Sequence, residues 1–541
     1  MGAYLTRRNL LRAGLGVAAG ASLAACGDGG PAVPLAENAD VKLPDFVPYK
    51  GVKPDLPGTS AGVLNGFLHY PKNPAKAFPD GPPAKGPSIN FMTLIYSPVP
   101  PPVSRNKLWQ GVNKTVGTDM NFEIVPVIDY PTKFSLTIAG GDLPDGMLFL
   151  PTAPQRPDTL HALFEDLSPY LSGSAVRDYP YLANLPTKAW RDTIYNGGIY
   201  GLPMPRLNSG SVMFYRADIV KEKSLDPNPR NFKEFLQLCK DLSDPRKNKY
   251  ACGDPLVTFY FVMEMLHSTN EWGQKNGRFA WWLEDTDRVK QGLDAMRQMV
   301  KARVIHPDGF TVEGKFKDWF GNGQIALNYD GATAWNDYLR AYKPTNPKLD
   351  IGGMVAPGFD GGKGSHWAGL SSFAMLALKK APKQRIEQVL RALNALAAPF
   401  GTDAYLERKY GVPGASFDYK GSDPILNPTG TLEATLPTNF ATDAPQVLYF
   451  PEDATVAPRQ YDFQKRAVDV LVNRADEGLY SETDTTLGGT AKTLIYEGPL
   501  QGYMSGRSSW RDFEDAMSNW RTTVGDKIRA DYEKYWASLH G

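Results

Sequence analysis

The stretch Ile89-Asn90-Phe91-Met92-Thr93-Leu94-Ile95-Tyr96 is an apolar run of strand length, and ordered structure is predicted to begin there. A helical stretch follows it and contains Leu108, Trp109, Val112 and Val116. The next run, residues 121–127, is again of strand length. Strand, helix and strand at these spacings predict a βαβ unit, which implies a parallel sheet with helices on its faces.

Similar elements continue along the chain on both sides of its middle. Further strands are predicted at residues 146–150, 211–215, 325–329 and 372–377, and residues 510–540 carry helical periodicity. A helix is predicted over residues 231–242, where Asn231 is suited to cap the helix and Glu234 completes a capping-box pattern. The fold class predicted for the body is therefore α/β.

Composition bounds the kinds of protein that this chain can be. It has 541 residues, of which 42% are hydrophobic, and it carries 59 Lys and Arg against 58 Asp and Glu. Such a composition is that of an ordinary globular protein and excludes a coiled-coil, collagen-like or wholly disordered chain. A net charge of +1 gives no electrostatic case for a nucleic-acid partner. No uncharged apolar run reaches the roughly 18–20 residues that a membrane span requires.

The first residues have the pattern of an export signal. Arg7 and Arg8 precede residues 13–25, an uncharged run of small and apolar residues that is too short to span a membrane. The run ends in Leu-Ala-Ala-Cys, with Cys26 last, and resembles the lipobox of bacterial lipoproteins, while the arginine pair resembles a twin-arginine signal. This resemblance implies removal of residues 1–25 and attachment of lipid to the sulfur of Cys26. Export by the twin-arginine route and export by the general secretory route both stay open.

Residues 27–90 contain twelve prolines and little periodicity. We therefore predict that residues 26–88 form a tether and an N-terminal extension, with the last part packed on the body. The two other cysteines, Cys239 and Cys252, are 13 positions apart and would be exported to an oxidising compartment. Both a disulfide and two buried thiols are compatible with that spacing.

Five segments occur in a recognisable order. They are residues 139–146 (Ala-Gly-Gly-Asp-Leu-Pro-Asp-Gly), residues 195–203 (Tyr-Asn-Gly-Gly-Ile-Tyr-Gly-Leu-Pro), residues 214–218 with 228–235, residues 320–331 (Phe-Gly-Asn-Gly-Gln-Ile-Ala-Leu-Asn-Tyr-Asp-Gly) and residues 504–513. In this order they resemble extracellular solute-binding proteins of ATP-binding-cassette (ABC) importers, of the kind that bind carbohydrates. The last segment is similar to the larger members, related to aldouronate and alginate oligosaccharide-binding lipoproteins.

The resemblance implies a two-lobed fold of the periplasmic-binding-protein type II class, with a ligand cleft between the lobes. It places the first lobe at residues 89–206 and 369–445, and the second at residues 207–368 and 446–541. It also implies a monomer, without a cofactor, that delivers an oligosaccharide to the transmembrane subunits of a permease. Alginate-type relatives carry a calcium loop after the helix that ends near Leu242, but here Arg246, Lys247 and Lys249 oppose a cation, and we expect no metal there.

No catalytic set is recognisable in the sequence. The six histidines are scattered and form no H-E-x-x-H pair, and neither a nucleophile elbow nor a phosphate loop is present. Two distant carboxylates of a glycosidase would leave no sequence signal, so a secreted polysaccharide-acting enzyme stays an alternative. An adhesive or structural surface lipoprotein is the other.

Sugar sites combine aromatic faces with fixed polar groups. The candidates for ligand contact are aromatic and polar residues near predicted strand ends, in the segments that line the ligand cleft in the family. Each aromatic residue could instead pack in the core, and Asp145 could instead cap a helix or a turn. The candidates are Trp335, Trp367, Trp272, Tyr260, Asp145, Arg206 and Asn208.

Overall fold

The predicted βαβ unit is present in the computed structural model, which describes residues 35–312 and 314–540. Its first strand, Ile89–Ile95, pairs in parallel with the second, Met120–Pro126, over the full length of both. The helix between them begins after Asn106, whose side chain accepts a hydrogen bond from the backbone of Trp109, and ends at Gly117 with φ +91°. The Trp109 indole in turn donates to the Met120 carbonyl at 2.8 Å, which fixes the helix against the second strand.

Strands occur throughout the described residues. They are β1 (Ile89–Ile95), β2 (Met120–Pro126), β3 (Gly146–Phe149), β4 (Ile194–Tyr195), β5 (Gly198–Ile199), β6 (Leu202–Pro205), β7 (Ser211–Arg216), β8 (Tyr250–Cys252), β9 (Trp272–Lys275), β10 (Arg278–Trp281), β11 (Ile325–Gly331), β12 (Ile351–Met354), β13 (His366–Trp367), β14 (Ser372–Leu378), β15 (Phe417–Lys420), β16 (Asp423–Leu426) and β17 (Leu471–Val472).

Helices cover the sheets and make up the carboxyl-terminal part. They are α1 (Lys107–Val116), α2 (Tyr130–Gly140), α3 (Arg156–Leu163), α4 (Ser168–Leu171), α5 (Thr187–Trp190), α6 (Ala217–Glu222), α7 (Phe232–Leu242), α8 (Pro255–Met265), α9 (Thr286–Lys301), α10 (Phe316–Gly321), α11 (Ala334–Tyr342), α12 (Lys383–Leu396), α13 (Asp403–Tyr410), α14 (Pro428–Glu433), α15 (Val456–Val468), α16 (Gly489–Ile495), α17 (Gln501–Met504), α18 (Trp510–Trp520) and α19 (Asp526–His540).

Two sheets organise these elements into two lobes. The sheet of the first lobe has five strands in the order β2-β1-β3-β14-β6, and β14 runs antiparallel to both of its neighbours. Its core includes Phe91, Leu148 and Leu376 from the sheet and Leu390 from α12. Every one of these side chains is inaccessible or nearly so, as expected for strands covered on both faces.

The sheet of the second lobe has four strands in the order β12-β7-β11-β8. Strand β7 is antiparallel to β11 and β12, whereas β11 and β8 are parallel. One side of this sheet packs on α8, α9 and the C-terminal helices, with Phe259, Leu293 and Tyr532 in that core. The other side packs on α11 and α15. The predicted fold class is confirmed, while the lobe boundaries given above stay a prediction.

The helix predicted over residues 231–242 begins one residue later and has only half of the predicted capping box. The Asn231 side chain accepts from the Glu234 backbone at 2.9 Å, as the pattern requires. The Glu234 carboxylate instead accepts from the backbone of Arg230 at 2.9 Å and pairs with its guanidinium. The extra partner explains the difference, since Arg230 offers Glu234 both a backbone and a side-chain donor.

Cys239 on α7 and Cys252 on β8 are buried thiols that are not bonded to one another. The two thiols are close enough to interact. Burial is the main cause that raises the pKa of Cys239, and the neighbouring Cys252 raises it further. Of the two alternatives left by the spacing, the structure has the pair of thiols.

The part of the proline-rich segment that the structure describes packs on the body, as expected for its last residues. From Asn38 onward it lies against the body. Tyr70, for example, donates through its hydroxyl to the Thr402 carbonyl at 2.7 Å and through its backbone amide to the Asp423 carboxylate at 2.8 Å. Residues 38–88 are therefore a packed extension, held by contacts far along the chain. Arg7, Arg8 and Cys26 lie outside the described residues, among which no helix is both long and apolar enough to cross a bilayer.

Candidate functional site

The carboxyl ends of parallel strands in the first lobe meet at one edge of its sheet. Strands β1, β3 and β6 run in the same direction, because β14 is antiparallel to β3 and to β6. Tyr96 and Arg206 therefore follow their strands at the same edge, where β14 begins and presents Phe373. In open α/β sheets this edge is where ligands bind.

The second lobe presents the corresponding edge of its own sheet. Residues 206–210 connect β6 to β7, and Gly331 at the end of β11 pairs with Ser211 at the start of β7. The Ala332 backbone donates to the Gly210 carbonyl at 3.0 Å. The connection thus joins the two edges, and two cavities with walls from both lobes open beside it.

Cavity 1 has a volume of about 190 Å³. Its walls come from the end of β3, the start of β14 and a segment after β17, and include Phe149, Pro151, Arg156, Asp192, Tyr195, Phe373, Arg474, Glu477, Tyr480 and Tyr532. Arg156 donates to the Tyr195 hydroxyl at 2.5 Å and lies over the rings of Tyr195 and Tyr480. These contacts hold a guanidinium and two aromatic rings together at the wall.

Asp192 lines cavity 1 and has a pKa close to neutral pH. Burial raises its pKa to about 7, Glu477 adds to the rise, and Arg156 and Lys188 oppose it. Glu477 itself is held by Lys188 at 2.6 Å and by the Ser371 backbone at 2.7 Å. Near neutral pH the Asp192 carboxyl can thus either donate or accept a hydrogen bond from a ligand.

Cavity 2 has a volume of about 230 Å³ and lies between α11 and residues 443–448. Asp443 faces Arg408 at 2.6 Å and Lys409 at 2.9 Å. Although burial raises its pKa, these two cations bring the pKa of Asp443 down to about 2, so it stays ionised. Within the described part of the chain, the side-chain oxygens of Gln446 and Gln460 are buried without a hydrogen-bond partner, which leaves them free for water or a polar ligand.

Arg206 lies between the two cavities. Its guanidinium carbon is 4.6 Å from the centre of the Phe373 ring, and Phe373 lines cavity 1. Burial lowers the pKa of Arg206, and Asp443 of cavity 2 partly restores it. The Tyr96 ring, 63% exposed, lies 6.4 Å from that of Phe373. A cation and two accessible rings therefore stand side by side where the lobes meet.

Residues 104–399 match the model of the family described as "Bacterial extracellular solute-binding protein". This chain belongs to that family. The Bacillus subtilis (strain 168) "Lipoprotein LipO" is 21% identical over 486 residues, 83% of this chain and 92% of LipO. The "Erythritol/L-threitol-binding protein" of Mycolicibacterium smegmatis is 27% identical over 271 residues, 46% of each chain.

A solved structure has the same fold. It is the calcium-free crystal structure of "alginate-binding protein AlgQ2", with a TM-score of 0.58, 16% identity, and coverage of 83% of this chain and 98% of that one. The predicted resemblance to extracellular solute-binding proteins is confirmed, and so is the two-lobed fold.

Two of the predicted ligand-binding tryptophans are buried in the second lobe of this solute-binding protein. Trp335 is 2% exposed and packs between Phe214 and Phe463. On α11 the side chains that line cavity 2 are Asn336, Asp337 and Arg340, on the opposite side of the helix. Trp272 is fully inaccessible and lies against Trp520 and Tyr532. Neither ring has a free face for a sugar in this structure.

Trp367 and Tyr260 form a second aromatic group near the start of the return connection to β14. Trp367 is 8% exposed, donates through its indole to the Ser268 carbonyl at 3.1 Å, and lies 5.8 Å from the Tyr260 ring. Burial raises the pKa of Tyr260 well above its usual value. Tyr260 is partly exposed, so its contact with a ligand stays a prediction.

The polar candidates lie in different places. Asp145 immediately precedes β3, so it is at the amino edge of the sheet, away from both cavities, where it pairs with Arg385 at 2.7 Å and accepts from the Asn90 backbone. Asp145 therefore has a structural role, which agrees with the alternative to ligand contact given above. Asn208 and Arg206 lie on the connection between the lobes, and the Asn208 side-chain oxygen is buried with no partner among the described residues.

Several cavity residues were missed by the sequence reasoning. Tyr96 and Phe373 could have been found, because both stand at the cleft end of a predicted strand. Arg156 and Asp192 could not, since their position depends on the packing of short helices and turns after β3. The segment around Glu477 and Tyr480 carries no pattern that distinguishes it from a surface loop.

Proposed function

We propose that this solute-binding protein captures a carbohydrate outside the cell and delivers it to the transmembrane subunits of an ABC permease. It does so as a monomer, anchored to the membrane by lipid on Cys26 and exported through the signal that contains Arg7 and Arg8. Membership of the extracellular solute-binding family supports the transport role. The similarity to a lipoprotein over 83% of the chain supports the anchor.

The observation that supports a sugar as the ligand is the arrangement of Arg206, Phe373 and Tyr96 between two polar cavities. Rings that are open on one face suit the apolar side of a pyranose, and fixed polar groups suit its hydroxyls. Asp192 and Gln460 supply such groups on either side. We assign ligand contact first to these residues, with Asn208 and Tyr260 at the margin of the cleft.

The size of the cavities bears on the ligand. At about 190 and 230 Å³ each is smaller than the roughly 300–1,000 Å³ of pockets for drug-sized ligands. An oligosaccharide would therefore need the lobes further apart than here in order to enter, whereas a short polyol would fit one cavity. The relatives include a protein named for alginate and one named for erythritol and L-threitol, so both ligand classes belong in the test.

Titration calorimetry of the full chain, purified in mild detergent, against maltotriose, an alginate trisaccharide and erythritol tests this proposal. We expect saturable binding of a saccharide, accompanied by a more compact protein in small-angle scattering. Failure of every saccharide in a broad glycan panel to bind would contradict the proposal. Binding of erythritol alone would retain solute capture and move the ligand class to polyols.

We also propose that the protein performs no chemistry on its ligand. Asp192, whose pKa is raised, and the neighbouring Glu477 form the kind of carboxyl pair that a glycosidase would need. Glu477 is engaged by Lys188 and by a backbone amide, which leaves it poorly placed as a base. Incubation with a bound saccharide should return it unchanged by mass spectrometry. Cleavage that is abolished by Asp192→Asn would establish the enzyme instead.

A further inference from the structure

The N-terminal extension, residues 38–88, contacts both lobes at its very start. The buried side chain of Asn38 donates to the Tyr535 hydroxyl on α19 at 2.7 Å. Its side-chain oxygen accepts from the Gly197 backbone, in the turn between β4 and β5, at 2.8 Å. Helix α19 contributes Tyr532 to the core of the second lobe, and β5 contributes Ile199 to that of the first. One amide group thus joins the two lobes.

The extension then follows the first lobe. The Asp45 backbone donates to the Gly173 carbonyl at 2.9 Å, and its carboxylate pairs with Arg177. The Val47 backbone donates to the Ala183 carbonyl at 2.7 Å. These contacts fasten residues 45–47 to the first lobe.

Further along, the extension returns to the second lobe. The Tyr461 hydroxyl donates to the Pro57 carbonyl at 2.7 Å, and the Leu64 backbone donates to the Gln464 side chain at 2.9 Å. Both partners belong to α15, whose Phe463 is in a core of the second lobe. Six residues after Leu64 the chain is back on the first lobe, where Tyr70 binds Asp423.

We propose that the extension is a clasp that bridges the lobes twice and limits how far the cleft opens. The two lobes cannot separate at the clasp without breaking contacts to α19 and α15, or without pulling the extension from the first lobe. Breaking them exposes or strands polar groups that are now paired, so each contact favours the closed arrangement. The inference rests on the proposed function only in that opening admits the ligand.

The test measures opening in the ligand-free protein. The full chain carries Cys26→Ser to prevent labelling there, and spin labels are placed at Leu136→Cys on α2 and Lys301→Cys on α9, one in each lobe. Pulsed electron resonance then gives the distribution of distances between the lobes with and without Asn38→Ala and Gln464→Ala. Each substitution should raise the ratio of open to closed molecules about two- to tenfold, the effect of one hydrogen bond.

Matched variants separate the clasp from general destabilisation. Asp45→Ala removes only an exposed ion pair between the extension and the first lobe, which contributes little to holding the extension in place, and should leave the distances unchanged. Tyr461→Phe removes a single hydroxyl without creating a cavity and should widen the distribution in the same direction as Gln464→Ala. Cooperative thermal unfolding of every variant checks that it is folded.

The distance measurement tests the clasp whether or not a saccharide that binds the protein is identified. An unchanged distance distribution in the folded Asn38→Ala, Gln464→Ala double variant would overturn the clasp, even if the parent protein binds a saccharide. A widened distribution in a protein that binds no saccharide would retain the clasp and contradict the proposed function.

Discussion

The side chain of His366 reaches the backbone carbonyl of Ser209, with Nε2 and the oxygen 2.6 Å apart. A carbonyl can only accept, so Nε2 carries the proton. Ser209 belongs to the connection that leaves the first sheet, and His366 precedes the one that returns to it. This buried hydrogen bond therefore ties the two connections together at the point about which the lobes would pivot.

Buried groups around His366 predict a dependence of stability on pH. Burial raises the pKa of Glu264 to about 8, although the Trp367 backbone and the Tyr329 hydroxyl lower it in part, and burial lowers the pKa of His366 to about 4. Glu264 thus keeps a proton in the folded protein that the unfolded chain loses above its ordinary pKa, and its contribution to stability falls as pH rises towards 8. His366 acts oppositely below its ordinary pKa, where protonation of the unfolded chain favours unfolding.

Glu264→Gln should remove the first of these effects. Relative to the parent, the variant gains unfolding free energy between pH 6.5 and pH 8, by up to about 2 kcal/mol at roughly 1.4 kcal/mol for each pH unit. Urea denaturation across that range gives the difference directly. Asp192→Asn is the control at another carboxyl with a raised pKa, because the contribution of Asp192 to stability is lost as pH rises and that loss is nearly complete at about pH 7. A difference between parent and Glu264→Gln that does not change with pH would contradict the assignment.

Trp335→Ala should act on folding and not on ligand affinity. The ring is 2% exposed and packs on Phe214 and Phe463, so its removal leaves a cavity that costs about 3–5 kcal/mol of unfolding free energy. Thermal and urea unfolding measure that loss. A tenfold weaker saccharide affinity in a variant of normal stability would instead place the ring in the cleft of an opened form.

The sequence allowed the helices and strands to be predicted, but not which of their side chains face the cleft and which face the core. The β1-α1-β2 unit follows from local patterns, since β1 is largely an apolar run, β2 largely alternates between buried and exposed residues, and α1 has its cap at Asn106. Trp335 and Asn336 are adjacent in sequence but on different sides of α11, and Asp145 was assigned to the cleft although it lies at the other edge of the sheet. Such placements depend on sheet order and long-range packing, which a single sequence does not contain.

The packed extension shows the same limit. Its prolines correctly predict the scarcity of regular structure there, since Pro lacks the amide proton that helices and inner strands need. What holds it are partners such as Asp423 for Tyr70 and Gln464 for Leu64, more than 350 positions further along the chain. No local pattern distinguishes such a segment from a free tether.

Cys26→Ser should release the protein from the membrane or leave it unprocessed. The motivation is the Leu-Ala-Ala-Cys sequence at the end of a short apolar run. Two acyl chains on the cysteine give stable anchoring where one would be marginal. Fractionation and intact-mass measurement follow the change, with Cys239→Ser as the control that leaves the predicted lipid site in place. A Cys26→Ser protein of normal mature mass that stays in the membrane fraction would refute the lipid anchor.

Arg206→Ala and Phe373→Ala should each weaken the binding of a cognate saccharide without unfolding the protein. Loss of the Phe373 ring face removes about 60–100 Å² of apolar contact, or about 1.5–2.5 kcal/mol at about 25 cal/mol per Å². That corresponds to some ten- to seventyfold in affinity. Loss of the Arg206 guanidinium removes charged donors to the ligand and should cost a similar factor, since hydrogen bonds to a charged group contribute about 1.5–3 kcal/mol.

Two further arginine variants decide whether the effect is specific to the cleft. Arg206→Lys keeps the charge but loses the planar group that lies over Phe373, and should recover only part of the affinity. Arg177→Ala removes an exposed arginine of the first lobe whose partner is Asp45, and should leave affinity unchanged in calorimetry. If Arg206→Ala and Arg177→Ala bind the saccharide equally well, Arg206 makes no contact with the ligand. The sugar would then have to bind away from the junction of the lobes, and the two cavities beside that junction would lose their assigned role.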